Sequence, residues 1–258
     1  MVIRAVLLDL EGVLYQENAP IPGALDAVRA LDARGLGLRY VTNTTTTSRA
    51  GVAGRLAGVG LDVDPAALFT PLAAARGLLA RWGARRIHLA APPETVADFA
   101  GLELADTGPV DAVVMGDLYK AYDWDKLDFL FGLVREGARL IALHKNRFCR
   151  RGDAIGLDAG PFVAAVEYAA GVAAVVVGKP SAEFFKLALD DLGVAPAEAV
   201  MVGDDIEADI GGAQAAGLRA VQVETGKYTP ADRDHPRVTP DLRIASIADL
   251  PAALEGLG

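Results

Sequence analysis

The sequence of 258 residues contains a single cysteine, Cys149, and only three histidines. One thiol excludes an intramolecular disulfide and a thiolate metal cluster, and the histidines lack the spacing of metal ligands. A metal, if one binds, must therefore be held by oxygen atoms. The scarcity of cysteine also suits a reducing compartment and predicts a cytoplasmic location.

Long apolar runs are absent too, although hydrophobic residues make up 52% of the chain and its mean hydropathy is +0.28. Glycine or a charged residue interrupts every apolar stretch well short of the roughly 18 residues that a membrane span needs. The opening residues, MVIRAVLLDLEGVLY, are typical of a strand followed by a loop and not of a secretory signal. We therefore expect a soluble protein with no membrane partner.

Basic side chains are fewer than acidic ones, 25 against 34, which gives a formal net charge of -9. The average field of such a chain repels nucleic-acid phosphates, so a nucleic-acid partner is not expected. A small anion can still bind, because the charge of one pocket is independent of the net charge.

Short apolar runs alternate with helical patterns along the chain. Their apolar residues are successive rather than alternating, which is typical of parallel strands covered by helices on both faces. The runs are VIRAVLLDL, GLRYVTN, RIHLAA, DAVVMG, RLIALH, AAVVVGK, AVMVGD and RAVQVE. The segments PGALDAVRALDARG and SAEFFKLALDDLG have helical periodicity and end at glycine. The pattern predicts an α/β protein with doubly wound parallel sheets.

Four polar clusters stand at the carboxyl ends of predicted strands, where open α/β sheets bind their ligands. In the first cluster, Asp9 and Glu11 are separated by one residue, which suits metal binding together with nucleophilic and acid/base roles. Gly12 permits a sharp exit from the strand. An ordinary acidic turn explains the same residues equally well.

Two further clusters carry uncharged donors and a cation. Thr42 and Asn43 can donate hydrogen bonds to phosphate oxygens, although in isolation they are more typical of a helix cap. Lys179 can neutralise a phosphoryl group or orient a carboxylate, although a lone lysine at a strand end is usually solvated. It is not a P-loop lysine, because Pro180 stands where that motif has serine or threonine.

The fourth cluster is the most acidic and contains Asp204, Asp205 and Asp209. Carboxylates at a strand end, with another one helical turn later, form an oxygen-rich site suited to Mg²⁺. Acidic residues in the first turn of a helix also complement its dipole, so a purely structural role is enough to explain Asp205 and Glu207. No G-x-G-x-x-G follows any predicted strand, so a dinucleotide-binding fold is not indicated.

In sequence order the clusters resemble the four motifs of the haloacid dehalogenase superfamily: Asp9 with Glu11, Thr42, Lys179, and Asp204 with Asp209. The segments VTNTTTTSR, VVGKPSAEFFKLAL and VMVGDDIEADIGGAQAAGLRAVQVETGKY are similar to class IIA, the NagD-like or p-nitrophenylphosphatase-like group. The segment LDAGPFVAAVEYAAG favours the phospholysine phosphohistidine inorganic pyrophosphate phosphatase subgroup. The resemblance covers nearly the whole chain.

The resemblance implies a Rossmann-like catalytic core of residues 1–73 and 174–258, with an α/β cap domain inserted at 74–173. It also implies homodimers formed partly through the cap. The expected activity is Mg²⁺-dependent hydrolysis of small phosphorylated compounds, phosphoramidates or pyrophosphate through an aspartyl-phosphate.

The site roles follow from the same resemblance. Asp9 would be the nucleophile and a Mg²⁺ ligand, the Glu11 carbonyl and Asp204 would complete the protein ligands, and Asp205 and Asp209 would orient the metal site from outside. Thr42, Asn43 and Lys179 would hold the phosphoryl group.

The sequence departs from the family at position 11, where phosphatases usually have aspartate as the general acid and base. Glu11 keeps the carboxylate but is one methylene longer, and a misplacement of that order can cost about 10²-fold in rate. A catalytically weak or non-catalytic phosphate-binding protein is therefore an alternative. A hydrolytic dehalogenase is disfavoured, because its reaction requires neither Mg²⁺ nor a ligand at Asp204, and the acidic motif is present here. A receiver-like phosphate-accepting module is disfavoured because such modules are much shorter.

Overall fold

The computed structural model describes residues 2–151 and 154–257. These residues form two compact units. The first comprises Met1–Thr42, Arg49–Phe69 and Lys179–Gly258, and the second comprises Asn43–Ser48 and Thr70–Gly178. The predicted insertion, 74–173, lies within the long segment of the second unit, and its role as a cap stays a prediction.

Most strands of the described chain belong to two parallel sheets. The strands are β1 (Ala5–Asp9), β2 (Tyr15–Gln16), β3 (Ala19–Pro20), β4 (Gly37–Val41), β5 (Leu68–Phe69), β6 (Arg86–Ala90), β7 (Glu103–Leu104), β8 (Ala112–Met115), β9 (Arg139–Ala142), β10 (Phe148–Arg151), β11 (Ala154–Leu157), β12 (Val175–Val176), β13 (Ala199–Gly203), β14 (Arg219–Val223) and β15 (Leu242–Ile244).

The α-helices connect these strands. They are α1 (Ala24–Ala33), α2 (Arg49–Gly58), α3 (Pro71–Trp82), α4 (Trp124–Arg135), α5 (Ala159–Ala170), α6 (Ala182–Leu192), α7 (Gly212–Ala215) and α8 (Leu250–Ala253). Several begin at a side-chain cap, as α3 does where Thr70 Oγ1 accepts a hydrogen bond from Ala73 N. Among the described residues, none of these helices combines the length and the apolar character needed to cross a lipid bilayer.

The first unit is built on a six-stranded parallel sheet in the order β15-β14-β13-β1-β4-β5. The central strand β1 is buried along its whole length, which explains its uninterrupted apolar sequence. In the register of the sheet, Leu8 pairs with Val202 and Asp9 pairs with Val41. The carboxyl ends of β13, β1 and β4 therefore meet at one edge.

The core of the first unit lies between this sheet and its helices. Val6 and Leu8 of β1 pack with Leu31 of α1 and Leu56 of α2, and all four side chains are fully buried. This packing fixes the direction in which β1 delivers its last residue to the edge of the sheet. The prediction of an α/β protein with parallel sheets is confirmed.

The second unit has a five-stranded parallel sheet in the order β12-β9-β8-β6-β7, and a separate antiparallel pair, β10 and β11. Val113 and Leu140 of the central strands pack against Leu130 of α4 and Val163 of α5. The two units therefore use the same architecture, a parallel sheet with helices packed against it.

Candidate active site

Asp9 is the last residue of β1, and its side chain is 11% exposed. Lys179 Nζ donates a hydrogen bond of 2.7 Å to Asp9 Oδ1. Burial raises the pKa of the Asp9 carboxyl, and the charge of Lys179 opposes that rise. Two residues later, Glu11 is exposed, so the two carboxylates of the first cluster lie in different environments.

Lys179 bridges two carboxylates that are distant in sequence. Its Nζ lies 2.7 Å from Asp9 Oδ1 and 2.6 Å from Asp209 Oδ1, and its side chain is 4% exposed. Burial alone would lower the pKa of this ammonium group, but the charges of Asp209 and Asp9 outweigh it and raise the pKa above the ordinary range. Lys179 is therefore a fixed cation inside the site.

Asp204 directly follows β13 and is 1% exposed. Its Oδ2 accepts a hydrogen bond of 2.7 Å from the backbone N–H of Lys227. Its Oδ1 is buried and has no hydrogen-bond partner within the described residues. Burial raises the pKa of Asp204 to about 6, with a further contribution from the charge of Asp209.

Asp209 reaches the cluster from a π-helical turn, Ile206–Gly211. Asp205 caps this turn, because its Oδ1 accepts hydrogen bonds from Glu207 N at 3.1 Å and Ala208 N at 2.9 Å. Burial would raise the pKa of Asp205, but these N–H groups and the charge of Lys227 hold it below the ordinary value. A widened turn of this kind is frequent at functional sites, where it redirects a side chain.

The carboxylate of Asp209 is fully buried, with its Oδ2 accepting a hydrogen bond of 3.2 Å from Asp205 N. Burial and the nearby charge of Asp9 raise its pKa to about 6, although Lys179 opposes the rise. The sequence-based expectation makes Asp209 an orienting residue of the metal site rather than a ligand, and that role stays a prediction. In the structure it contacts Lys179 directly.

The donor set fits a hard divalent cation. Asp9, Asp204 and Asp209 each offer one carboxylate oxygen, and these oxygens lie within 4.8 Å of one another. Oxygen ligands of this kind suit Mg²⁺. The buried Oδ1 of Asp204 is the observation that tests the fit, because a carboxylate oxygen buried without a donor is costly unless a cation satisfies it.

Of the remaining predicted residues, Thr42 follows β4 at the same edge of the six-stranded sheet, and Asn43 is the next residue along the chain. Thr42 is buried, and its backbone N–H donates a hydrogen bond of 3.3 Å to Phe69 O. Asn43 is half-buried and belongs to the second compact unit. The structure therefore brings Asp9, Lys179 and the Asp204–Asp209 segment into direct contact and places Thr42 at the end of the neighbouring strand.

Sequence reasoning missed a contribution from the turn after β14. Lys227 N holds Asp204 Oδ2, Lys227 Nζ lies 3.2 Å from Asp205 Oδ2, and Thr225 Oγ1 donates a hydrogen bond to Gly12 O. The available signal was position: Thr225, like Asp204, follows a buried parallel strand at the same edge of the sheet.

Comparison with known proteins gives consistent matches. Family models described as haloacid dehalogenase-like hydrolase and HAD-hydrolase-like match residues 6–104 and 176–250. The haloacid dehalogenase-like hydrolase domain-containing protein 2 of Bos taurus is 41% identical over 244 residues, which are 95% of this chain and 93% of that protein.

Two further relatives have names that state an activity. The phospholysine phosphohistidine inorganic pyrophosphate phosphatase of Bos taurus is 39% identical over 253 residues, which are 96% of this chain and 92% of that protein. The crystal structure of 4-nitrophenylphosphatase from Thermotoga maritima is 27% identical and has a TM-score of 0.86, with 98% of this chain and 97% of that chain covered.

Proposed function

Because the chain belongs to class IIA of the haloacid dehalogenase-like hydrolase family, we propose that it is a magnesium-dependent phosphatase that forms an aspartyl-phosphate on Asp9. The observation that carries the proposal is the buried cluster of Asp9, Lys179, Asp204 and Asp209 at the edge of the six-stranded sheet. Three buried carboxylates with a single buried ammonium group leave negative charge for a divalent cation to balance.

Asp9 is the nucleophile in this proposal. One of its oxygens forms a bond to phosphorus as the bond between phosphorus and the leaving group breaks, and a water molecule then attacks the same phosphorus to release phosphate and restore Asp9. Mg²⁺, held by Asp9, Asp204 and the Glu11 carbonyl, would supply positive charge against the repulsion between carboxylate and phosphate.

The other residues act on the phosphoryl group and on the proton. Lys179 supplies a fixed positive charge to the phosphoryl oxygens, and Thr42 and Asn43 donate hydrogen bonds to them. Glu11 gives a proton to the leaving group and later takes one from the attacking water. Asp205 shapes the π-helical turn that presents Asp209, and Asp209 holds Lys179.

The substrate is proposed to be a small phosphorylated compound, a phosphoramidate or pyrophosphate. The name of one relative supports this range, because that protein is a phospholysine, phosphohistidine and pyrophosphate phosphatase. The net charge of -9 disfavours a nucleic-acid substrate, because the average field of the chain repels nucleic-acid phosphates. The single cysteine supports a reducing compartment such as the cytoplasm.

The decisive experiment measures phosphate release from sugar phosphates, nucleotides, pyrophosphate and phosphoramidates, with Mg²⁺ and with EDTA. Turnover with Mg²⁺ that EDTA abolishes is the expected result. Binding of phosphate without turnover of any substrate would instead favour a phosphate-binding protein, the alternative that the exposed Glu11 keeps open.

A homodimer formed through the second unit is also proposed. That unit exposes large apolar side chains, including Trp124 at 82% and Tyr168 at 93%, and such surfaces often mark interfaces. Sedimentation velocity should give a dimer for the wild type and a monomer for Trp124→Lys. A wild-type monomer would refute the proposal.

A further inference from the structure

The turn of Thr225, Gly226 and Lys227, here called the Thr225–Lys227 turn, connects three parts of the site edge. Thr225 Oγ1 donates a hydrogen bond to Gly12 O, in the loop after β1. Lys227 N donates a hydrogen bond of 2.7 Å to Asp204 Oδ2, after β13. Tyr228 N donates a bond of 3.3 Å to Thr225 O, which closes the turn.

Two glycines hold the carboxylate of Asp204 between them. Gly12 has a φ of +87° and Gly226 a φ of +64°, a backbone region that side chains other than glycine rarely adopt. A Cβ on either residue would overlap Asp204 Oδ2, and a Cβ on Gly226 would also lie 2.6 Å from Gly12 Cα. The backbone therefore packs against this oxygen from two sides.

The two oxygens of Asp204 are thus in different situations. Oδ2 is enclosed by the two glycines and bonded to a backbone N–H, whereas Oδ1 is buried with no hydrogen-bond partner in the described part of the chain. Fixing one oxygen of a carboxylate also fixes the direction of the other. The carboxylate cannot rotate without losing the Lys227 bond or colliding with a glycine.

We infer that the Thr225–Lys227 turn is a positioning element of the metal site, which commits Asp204 Oδ2 to the backbone and keeps Oδ1 for the cation. The inference rests on the proposed function, because it needs Mg²⁺ at Asp204. Groups that orient metal ligands commonly contribute about 10–100-fold to metal affinity. None of the three residues of the turn touches the phosphoryl group in this account.

The test is Gly226→Ala, with Gly193→Ala as its matched control. Gly193 has a φ of +65°, almost the same as Gly226, but a Cβ there would meet nothing within 4 Å. Both variants carry the same backbone strain, and only Gly226→Ala pushes on Asp204. The Kd of Mg²⁺ alone is measured by isothermal titration calorimetry on the EDTA-treated, dialysed full-length protein.

We expect Gly226→Ala to raise the Kd of Mg²⁺ by about tenfold or more and Gly193→Ala to leave it unchanged. The Mg²⁺ concentration that gives half-maximal p-nitrophenyl phosphatase activity should shift in the same way. A Kd within about twofold of the wild-type value in Gly226→Ala would overturn the inference.

Thr225 provides a second test that does not depend on a glycine substitution. Thr225→Val removes the hydroxyl that bonds Gly12 O while keeping the shape of the side chain, and Thr225→Ser restores the hydroxyl. We expect weaker Mg²⁺ binding in Thr225→Val and recovery in Thr225→Ser. Equal Kd values of Mg²⁺ in the wild type, Thr225→Val and Thr225→Ser would contradict the positioning role of the Thr225–Lys227 turn.

The wild-type titration separates this inference from the proposed function. If the wild-type protein binds no Mg²⁺, the proposed function fails, and the inference fails with it. If the wild type binds Mg²⁺ and both Gly226→Ala and Thr225→Val bind it equally well, only the inference fails.

Discussion

The two parallel sheets have the same architecture, but most of their strands are followed by different kinds of side chain at the carboxyl edge. In the first unit, Asp9, Asp204 and Asp209 form a buried cluster in which Lys179 bridges Asp9 and Asp209. In the second unit, the chain leaves β6 through Ala91 and Pro92 and β8 through Gly116 and Asp117, whereas β12 continues through Val177 and Gly178 to Lys179, where the first unit resumes. A parallel sheet supplies an edge at which loops converge, and the residues of those loops decide whether the edge carries chemistry.

Buried polar groups are also used differently in the two units. In the second unit Thr70 and Asp158 cap helices, and Asp158 Oδ1 also lies 3.7 Å from Nε2 of the buried His144, whose pKa is lowered by burial. In the first unit Asp9 and Asp209 face an ammonium group instead of a helix end. A buried polar residue that satisfies the backbone stabilises the fold, whereas charged groups that face one another form a site.

The largest expected effect is at Asp9. Asp9→Asn keeps the shape of the side chain but removes the anionic nucleophile, so kcat should fall by at least about 10⁴-fold. Phosphate release and a thermal unfolding curve are measured together, with Asp26→Asn on the exposed face of α1 as the control. A folded Asp9→Asn protein that keeps most of its activity would exclude the proposed mechanism.

The second-largest effect is expected at Lys179. Lys179→Met removes the only described cation in direct contact with Asp9 and should lower kcat/KM by roughly 10²–10³-fold. It also leaves Asp9 and Asp209 without their partner, which typically costs about 3–5 kcal/mol of unfolding free energy. Lys186→Met, an exposed substitution on α6, is the control. Unchanged kcat/KM in Lys179→Met would remove this residue from the site.

The stability of the protein should also depend on pH and on Mg²⁺, through the buried carboxyls of Asp204 and Asp209. Burial raises the pKa of Asp204 and Asp209 from 3.8 to about 6 in the metal-free protein. A carboxyl with a higher pKa in the folded than in the unfolded chain binds its proton more tightly when folded. The metal-free protein should therefore lose stability as the pH rises from about 4 to above 6.

Bound Mg²⁺ should offset that loss. At 100 times its Kd a ligand adds about 2.7 kcal/mol, which raises the Tm of a chain of this size by roughly 5–10 °C. We expect this shift at pH 7.5 and a much smaller one at pH 5, where protons compete for the same oxygens. Thermal unfolding with MgCl₂ or with EDTA at both pH values measures it, and an equal shift at both would contradict the assignment.

Glu11 should give a smaller and substrate-dependent effect. If its carboxylate transfers the proton from an imperfect position, Glu11→Asp should raise kcat/KM for alkyl phosphates several-fold, by about 0.5–1 kcal/mol in barrier. p-Nitrophenyl phosphate should respond much less, because its leaving group needs little protonation. Glu11→Ala should lose alkyl phosphate turnover first. Equal effects on both substrates would mean that the side chain acts through geometry rather than proton transfer.

The smallest effect is expected at the edge of the second sheet. Asp117 Oδ1 accepts a hydrogen bond of 2.9 Å from Tyr119 N, which makes a turn that asparagine also forms. Asp117→Asn should therefore change kcat by no more than about twofold. A loss comparable to that of Asp9→Asn would show that both edges carry the chemistry and would break the comparison.

The strands and the charged residues of the site could be predicted from the sequence because each depends on local pattern. The eight apolar runs all contain strands, and Asp9, Lys179 and Asp204 stand at or near the carboxyl ends of three of them. The other seven strands of the described chain were not predicted, and none of them is longer than four residues: β2, β3, β5, β7, β10, β11 and β15. Short strands owe their conformation to the neighbour with which they pair, and a sequence window does not contain that neighbour.

The Thr225–Lys227 turn was missed for a related reason. Its bonds use a backbone N–H, a hydroxyl and the small size of Gly226, none of which has the chemical signature of a carboxylate or an ammonium group. The contact between Asp209 and Lys179 was not predicted either. The sequence places Asp209 about one helical turn after Asp204, but it does not indicate the π-helical geometry of Ile206–Gly211 in which Asp209 lies.

The pairing of β1 with β13 has a consequence for synthesis of the protein. Ala5 pairs with Ala199, and Asp9 meets a lysine that lies 170 positions later. During translation, β1 leaves the ribosome well before Lys179 and β13 have been synthesised. The edge of β1 that pairs with β13 therefore stays unpaired during that time. Such long-range closure slows folding and exposes the chain to aggregation. The second unit, which is nearly continuous in sequence, can fold during that interval.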